Sequence, residues 1–374
     1  MRAFAHTFVH TSLPSRVVFG AGAFQRVAEE VDRLGLRRVL VLSTPGRRSL
    51  ADQVAGQLGA RVAGFFDQAV MHVPIETVVA ARAAALAADA DGCVAIGGGS
   101  TIGFGKVLAL DAETLGAAAG GARLPPMPPL PTLAIPTTFS GSEMTPVFGV
   151  TAAGNKKTVR DPRVLPRTVI YDPDLLSTLP GKVAGPSGMN GIAHCVEALY
   201  AEDGNPITSL MAEEGVRTLA GSLPRVVSEA GNREARAEAL YGAWLSGSCL
   251  AAVTTALHHK LCHLLGGRYN LPHAETHTVI LPHVVQYNRS AAPEAMARIT
   301  GALDGADPAQ GLYDLAHLLR APQALKKLGL PAAALDEAAD LAMAASYYNP
   351  RPLERSAIRQ LLQNAWEGKR PAGE

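Results

Sequence analysis

The chain has 374 residues, a formal net charge of +1 at pH 7, 48% apolar residues and only 5% aromatic residues. That length points to two domains, and the apolar fraction is enough for a substantial core. The balanced charge supplies neither the basic stripe of a nucleic-acid binder nor the polybasic patch of a membrane-surface protein, so a small-molecule partner is expected.

The opening MRAFAHTFVHTSLPSRVVFG lacks the long apolar run of a secretion signal, and no uninterrupted apolar stretch is long enough to span a bilayer. Residues 16–20 (RVVFG) and 37–44 (RRVLVLST) read as strands, with helical periodicity between them over 24–35. Residues 61–67 are a third strand candidate, 75–90 a strong helix, and 92–100 (GCVAIGGGS) a buried strand running into a glycine turn. Strands alternating with helices make βαβ units and a parallel sheet. The prolines within 120–138 exclude helix interior, so an extended surface connection is expected there, leading into the short strand TLAIPTT. Residues 166–176 close this half with a last strand. Beyond about residue 179, helical patterns take over (GIAHCVEALYA, ITSLMAEEGVRTLAGSL, EARAEALYGAWLSGSCLAAV, AETHTVILPHVVQYN). The expected organisation is an α/β dinucleotide-binding domain over 1–179 and an all-α domain over 180–374. Cys93, Cys195, Cys249 and Cys262 form no C-x-x-C pair and read as reduced thiols of a cytoplasmic protein.

The turn AIGGGSTIGFGK (95–106) follows a strand and opens a helix. Gly97, Gly98 and Gly99 let backbone approach a pyrophosphate, the helix N-terminus offers free N–H groups, and Ser100 adds a hydroxyl. It is not G-x-G-x-x-G, so the usual dinucleotide fingerprint does not apply. A second polar cluster, IPTTFSGSEMTP (135–146), lies past a strand end, where open α/β sheets bind ligands. Thr137, Thr138, Ser140 and Thr145 are candidates to bond ribose or nicotinamide, against the plainer reading of a Ser/Thr loop. The second strand ends in LSTPGRR, with neutral Ser43 and Thr44 where NAD-selective domains place an acid. NADH is the expected cofactor. Arg47 and Arg48 either admit the 2′-phosphate of NADPH as well or simply cover a solvated helix start. Lys157 is a further cofactor-side candidate.

Residues 257–277, LHHKLCHLLGGRYNLPHAETH, hold five of the eleven histidines. Positions four apart share a helix face, which pairs His259 with His263 and Asn190 with His194. His273 follows a proline and is expected to start the next helix. His258 and His277 read individually as core histidines.

These spacings, with VVFGAGAF, GGGS, IPTT…GSE, GM…H…EA and H…H…G…PH…LPHV…YN, resemble the iron-containing (group III) alcohol dehydrogenase superfamily over nearly the whole chain. The resemblance implies a dehydroquinate synthase-like fold: an N-terminal dinucleotide-binding α/β domain, a helical C-terminal domain, a cleft between them, and a homodimer. It also implies a metal on one Asp and three His, at positions matched here by Asn190, His194, His259 and His273, and an additional catalytic histidine at His263. Asn190 is neutral where the family carries an acid. Iron or zinc is ordinarily held with carboxylate or thiolate help, so the expectation is a site without obligatory metal, although three His alone hold zinc in some catalytic sites and a metal, if bound, would sit on Asn190, His194, His259 and His273.

Gly103 replaces the acid of the family's GGGSxxDxAK, SGSE shortens GTGSE, and the tail reads YYNPRP (347–352). This set is similar to a branch that reduces the conjugated double bond of 4-oxohex-2-enedioate to 3-oxoadipate in aromatic-compound degradation. On that reading His259 and His273 bind substrate oxygen, and His263 or His194 supplies the proton. Arg351 leads Lys260 and Arg268 as partner for the carboxylates of an oxo-dicarboxylate substrate. The alternatives are a metal-dependent NAD(P) alcohol or polyol dehydrogenase and a non-catalytic nucleotide-binding redox sensor.

Overall fold

The computed structural model describes residues 8–13, 15–152, 155–229, 231–344 and 346–372. The chain forms two compact units, one of residues 15–178 and one of 179–372 together with 8–13. An α/β unit with a parallel sheet followed by a helical unit is the fold class expected from the sequence.

The first unit contains strands β1 (Arg16–Phe19), β2 (Val39–Leu42), β3 (Val62–Phe66), β4 (Gly92–Gly97), β5 (Thr132–Pro136), the hairpin β6 (Val147–Ala152) and β7 (Asn155–Arg160), and β8 (Thr168–Tyr171). Six of them form one sheet in the order β1-β8-β5-β4-β2-β3, every pair parallel. Its helices are α1 (Val27–Arg33), α2 (Arg48–Leu58), α3 (Ile75–Ala87), α4 (Gly99–Leu108) and α5 (Ala112–Ala118). The runs VLVL, GCVAIG, TLAIP and TVIY are buried at every position. That is the pattern of strands covered on both faces, and each such Val, Leu or Ile contributes roughly 1.5–3 kcal/mol of burial. The chain passes from β2 outward to β3 and then returns to lay β4 on the other side of β2. The carboxyl ends of β2 and β4 therefore flank a topological switch point, where sheets of this kind bind ligands.

Three elements of this unit are absent from the sequence reading: α2, α5 and the hairpin. The hairpin buttresses a strained turn. His72 and Val73 sit at φ 64° and 48°, an outlier for a β-branched residue. Thr151 holds them, its N–H donating to the Val73 carbonyl and its hydroxyl to that of His72.

The proline-rich connection has no regular structure over 122–130, as expected, but it is not purely a surface segment. Met127 and Leu130 are buried. Arg82, fully buried on α3, donates to the Pro125 carbonyl at 3.0 and 2.8 Å and to the Leu110 carbonyl at 2.9 Å. Consecutive prolines cannot use their own N–H groups to form a ladder, so an arginine fork reaches out from the core to satisfy the carbonyls.

The second unit is built of α6 (Gly181–Leu199), α7 (Pro206–Ser228), α8 (Arg233–Ala252), α9 (Leu257–Tyr269), α10 (His273–Asn288), α11 (Pro293–Ala302), α12 (Pro308–Leu318), α13 (Ala334–Ala344) and α14 (Arg355–Glu367). Helix α6 is buried all round from Ala184 to Ala198, so it is the central helix of the unit. Asn205 caps α7 through a reciprocal box with Thr208, and Pro206 occupies its first turn. Between α8 and α9 the chain bends by 96°. Asp203 fastens this corner by accepting from the Thr254 N–H and hydroxyl. Among the described residues no single helix is long and apolar enough to cross a membrane.

Replacing Arg82 with Ala strands two buried carbonyls. We expect a loss of about 2–4 kcal/mol in urea unfolding and faster proteolysis near residues 122–130; unchanged stability would show that water satisfies those carbonyls as well.

Candidate active site

At the carboxyl end of β4 the chain enters α4 with Gly98 as N-cap and no side chain capping the helix. The first N–H groups of α4 are thus left for a ligand. The glycines are required by space. A Cβ on Gly97, whose φ is 155°, would lie 2.4 Å from Thr101 Oγ1, and one on Gly98 would lie 3.0 Å from Thr138 Cγ2. A Cβ on Gly99 would lie 3.3 Å from Ser142 Oγ and 3.6 Å from Ser140 Oγ. Gly97, Gly98, Gly99, Thr138 and Ser140, expected separately from the sequence, therefore meet at one place. Ser43, at the end of β2, is buried, and Thr44 precedes a short helical turn.

The hydroxyls of Ser43, Ser140 and Ser142 are buried and have no hydrogen-bond partner among the described residues. Uncompensated buried hydroxyls are costly, and a pyrophosphate or ribose supplies what they lack. A dinucleotide cofactor would fit this cradle, where Gly97–Ser100 are the residues that would hold its phosphates.

Not every candidate faces this turn with a free group. Thr145 is committed internally: its hydroxyl accepts from Lys106 Nζ at 2.8 Å, and Lys106 also donates to the carbonyls of Ser142 and Val147. Thr137 is buried, with its N–H on the Gly97 carbonyl. Lys157 is exposed on β7. Arg48 pairs with Asp52 and Asp67 and lies over Phe65, and Arg47 donates to Thr178.

Lys106 itself, with Glu143, was not singled out from the sequence. Burial draws the Lys106 ammonium down to about 7, yet its three acceptors call for all three N–H groups of the charged form. Glu143 is fully buried and raised by that burial, with Tyr171 donating to it at 2.7 Å.

In the helical unit the imidazoles form a chain of ring contacts. His194 stacks on His259 with centroids 5.1 Å apart, His259 meets His263 at 6.0 Å, and His263 stacks on His273 at 6.1 Å. His277 touches His273 at 4.4 Å and His259 at 5.0 Å. The four histidines expected at the site are thus gathered. Helix α10 begins at His273, as its place after Pro272 predicts. Asn190 lies one turn before His194 on α6 and is buried, as are His194 and His259. Asn190 Oδ1, His194 Nδ1 and His259 Nε2 have no partner among the described residues. Burial first, then neighbouring imidazoles, holds His194, His258 and His277 well below the usual histidine range, so they are neutral at pH 7.

A residue missed from the sequence sits behind this cluster. Glu197, buried on α6, accepts from His259 Nδ1 at 2.7 Å and from the backbone N–H groups of Ala256 and His258 at 2.8 and 2.7 Å. Its spacing was visible: Glu197 falls three residues after His194, on the same helix face.

The family's ligand set of one acid and three imidazoles is incomplete here. Helix α6 carries a single acid, Glu197, and its oxygens are taken by three N–H donors. What remains is a neutral amide and imidazoles, with no anionic ligand. The ligand atoms of His258, Cys262 and His277 do lie within 4.8 Å of one another. There, however, His258 Nε2 and His277 Nδ1 share a hydrogen bond at 2.9 Å, and burial pushes the Cys262 thiol well up, away from the thiolate a metal takes.

Arg351 is at the other end of α10. Its guanidinium lies 4.3 Å from the centre of the Tyr287 ring, and it lines a cavity of about 470 Å³ with His283, Gln286 and Arg370. The NPRP segment is docked there by Asn349, whose side-chain amide exchanges two hydrogen bonds with that of Asn288, and by Tyr287, which donates to the Pro352 carbonyl. Tyr287 is ten residues beyond His277, about 15 Å along a helix, so Arg351 is not gathered with the imidazoles. Arg268 is exposed and paired with Glu337, and Lys260 lies over Tyr347.

The sequence pattern of iron-containing alcohol dehydrogenases matches residues 14–173, and that of the C-terminal domain of the Fe-containing alcohol dehydrogenase family matches residues 185–366. The chain belongs to the iron-containing alcohol dehydrogenase family. It is 51% identical over 367 residues to a maleylacetate reductase of Burkholderia cepacia, covering 98% of this chain and 100% of that one. A maleylacetate reductase of Pseudomonas sp. strain P51 is 52% identical over 364 residues, covering 97% and 99%. The crystal structure of maleylacetate reductase from Agrobacterium tumefaciens matches with a TM-score of 0.88 at 47% identity, covering 98% of this chain and 100% of that one.

A methyl group on Gly99 would cover the Ser140 and Ser142 hydroxyls. In a fluorescence titration Gly99→Ala should weaken NADH binding roughly tenfold, about 1.4 kcal/mol, with little change in Tm; unaltered affinity would move the cofactor away from this turn.

Proposed function

We propose that this protein reduces the carbon–carbon double bond of maleylacetate (4-oxohex-2-enedioate) to 3-oxoadipate, with NADH as donor and NADPH as an alternative one. The observation that carries the reading is a cluster of largely neutral imidazoles beside an amide, where the family's metal chemistry calls for an acid. Relatives 45–52% identical over nearly the full chain bear the maleylacetate reductase name, which supports it.

The chemistry suits these residues. The alkene is conjugated to a ketone, so hydride from the reduced nicotinamide adds at the alkene carbon β to the ketone, and the electron pair moves onto the ketone oxygen as an enolate. A proton then adds at the α carbon, completing a net gain of one hydride and one proton. Such an oxyanion is steadied by hydrogen-bond donors alone. His259 and His273 are assigned to the ketone oxygen, and His263 or His194 to the proton. The neutral Asn190 also spares a dianionic substrate a like charge, worth on the order of 4 kcal/mol at ~4 Å and an effective dielectric near 20. Family resemblance further supports a homodimer, and four unpaired cysteines accord with a cytoplasmic location.

Two measurements test the reading. Maleylacetate should oxidise NADH at a rate that EDTA leaves unchanged; inactivation by chelator, restored by iron or zinc, would instead favour a metal-dependent alcohol dehydrogenase. His263→Ala should lower kcat about 100-fold or more while NADH affinity stays near wild type, and full turnover in that variant would remove His263 from the mechanism.

A further inference from the structure

Helices α10 and α14 face each other across the cavity of about 470 Å³ that Arg351 lines. On α10 the lining residues His283, Gln286 and Tyr287 are spaced i, i+3, i+4, and on α14 Gln360 and Asn364 are four apart. Each helix therefore turns a polar stretch of one face to the cavity. Another wall is the chain beyond α14. Gly368, at φ 76°, ends that helix, and the segment after it is fastened at two carbonyls. Tyr313 donates to that of Gly368 at 2.7 Å, and Gln310 to that of Pro371 at 3.2 Å. Lys369 and Arg370 are thereby held at the cavity.

The lining carries three cationic side chains, Arg351, Lys369 and Arg370, and no Asp or Glu among the described residues. Their acidic partners stand outside it: Glu354 at 3.8 Å, Glu367 at 2.5 Å and Asp314 at 2.6 Å. Exposed pairs of this kind are weak and yield to a better-placed anion. A guanidinium has five N–H donors, and the pairing of Arg370 with Asp314 uses its Nε and Nη2 only. Two lining residues each bury a polar atom that has no partner among the described residues, His283 Nε2 and Gln286 Oε1. His283 is 5% exposed, and burial holds its imidazole down to about 4, so it is neutral at pH 7. With its proton on Nε2 it is a donor to an anionic oxygen, and the Gln286 amide, turned over, presents N–H groups likewise. An anionic ligand relieves both the unopposed positive charge and the uncompensated polar atoms.

We propose that this cavity is a second ligand site, for a small organic anion bearing two or more negative charges, a polycarboxylate or a phosphate ester. Arg351, Lys369 and Arg370 meet its charges, and His283 Nε2 donates to one of its oxygens. The site is separate from the imidazole cluster. Along α10, His283 is six residues and Tyr287 ten residues beyond His277, about 9 and 15 Å of helix. Occupation of the cavity does not depend on which substrate the imidazoles reduce.

Calorimetric titration of the NADH-bound protein is the test, since NADH would already occupy the glycine turn, the other place for a phosphate. Citrate and glycerol 3-phosphate are the two probes, with acetate as the singly charged control. At least one probe should bind with a dissociation constant below about 1 mM, and acetate at least about tenfold more weakly. The tighter probe identifies the class. Lys369→Ala and Arg370→Ala change exposed side chains, and each should weaken that binding about tenfold. His283→Phe keeps the bulk, removes the donor and should weaken it about fivefold. Asp314→Ala separates charge from docking of the tail: it removes the ion pair but keeps Arg370, so affinity should hold or rise. The proposal is overturned by unchanged affinity in Lys369→Ala, Arg370→Ala or His283→Phe, or by a loss in Asp314→Ala equal to that in Arg370→Ala. Acetate binding as tightly as the probes, or neither probe binding more tightly than about 1 mM, overturns it as well.

Discussion

Several imidazoles packed into one apolar interior cannot all be charged. Each added proton would meet both the cost of burial and the repulsion of its neighbours, and His194, His258 and His277 are held neutral for those two reasons. The rest of the helical unit follows from accommodating this cluster. Helix α6 is buried nearly all round, α9 and α10 bring their histidines against it, and a lone carboxylate, Glu197, is admitted because three N–H groups neutralise it. A buried acid left without those donors would be expelled or protonated.

The α/β unit solves a different problem with similar means. Its sheet is apolar through its centre, so polar groups concentrate at the carboxyl ends of β2 and β4, where the strand order reverses. Lys106 crosses beneath that edge and pins the segment carrying Ser142 and Thr145 to α4. The glycine turn can then stay free of side chains without the surrounding loop collapsing into it. Backbone economy at the turn and a buried strut under it are two parts of one arrangement.

Much of this was legible in the sequence, for identifiable reasons. The strands and the long helices announce themselves by period, and the start of α10 by Pro272. The gathering of His194, His259, His263 and His273 follows from helix spacing together with family resemblance. Glu197 shows its spacing from His194 in the sequence but not what it holds, and Lys106 shows neither; their roles come from partners 59 to 62 and 36 to 41 residues away. The hairpin and α5 are short and bounded by small residues, where neither period develops. The extended course of the proline connection was legible from its prolines, but its burial was not, because nothing in the sequence marks Arg82 as a group that turns inward to its carbonyls.

The strained turn at His72 and Val73 has a bearing on how such a protein can change. A Cβ on Gly103 would come within 2.9 Å of Val73 Cγ2, a branched side chain with little freedom on a backbone already in the left-handed region. The two positions are therefore bound together: any side chain at 103 obliges Val73 to move, and Val73 is held in its turn by Thr151 on the hairpin. A change at the start of α4 is thus felt in a loop whose His72 lies 79 residues from Thr151 of that hairpin.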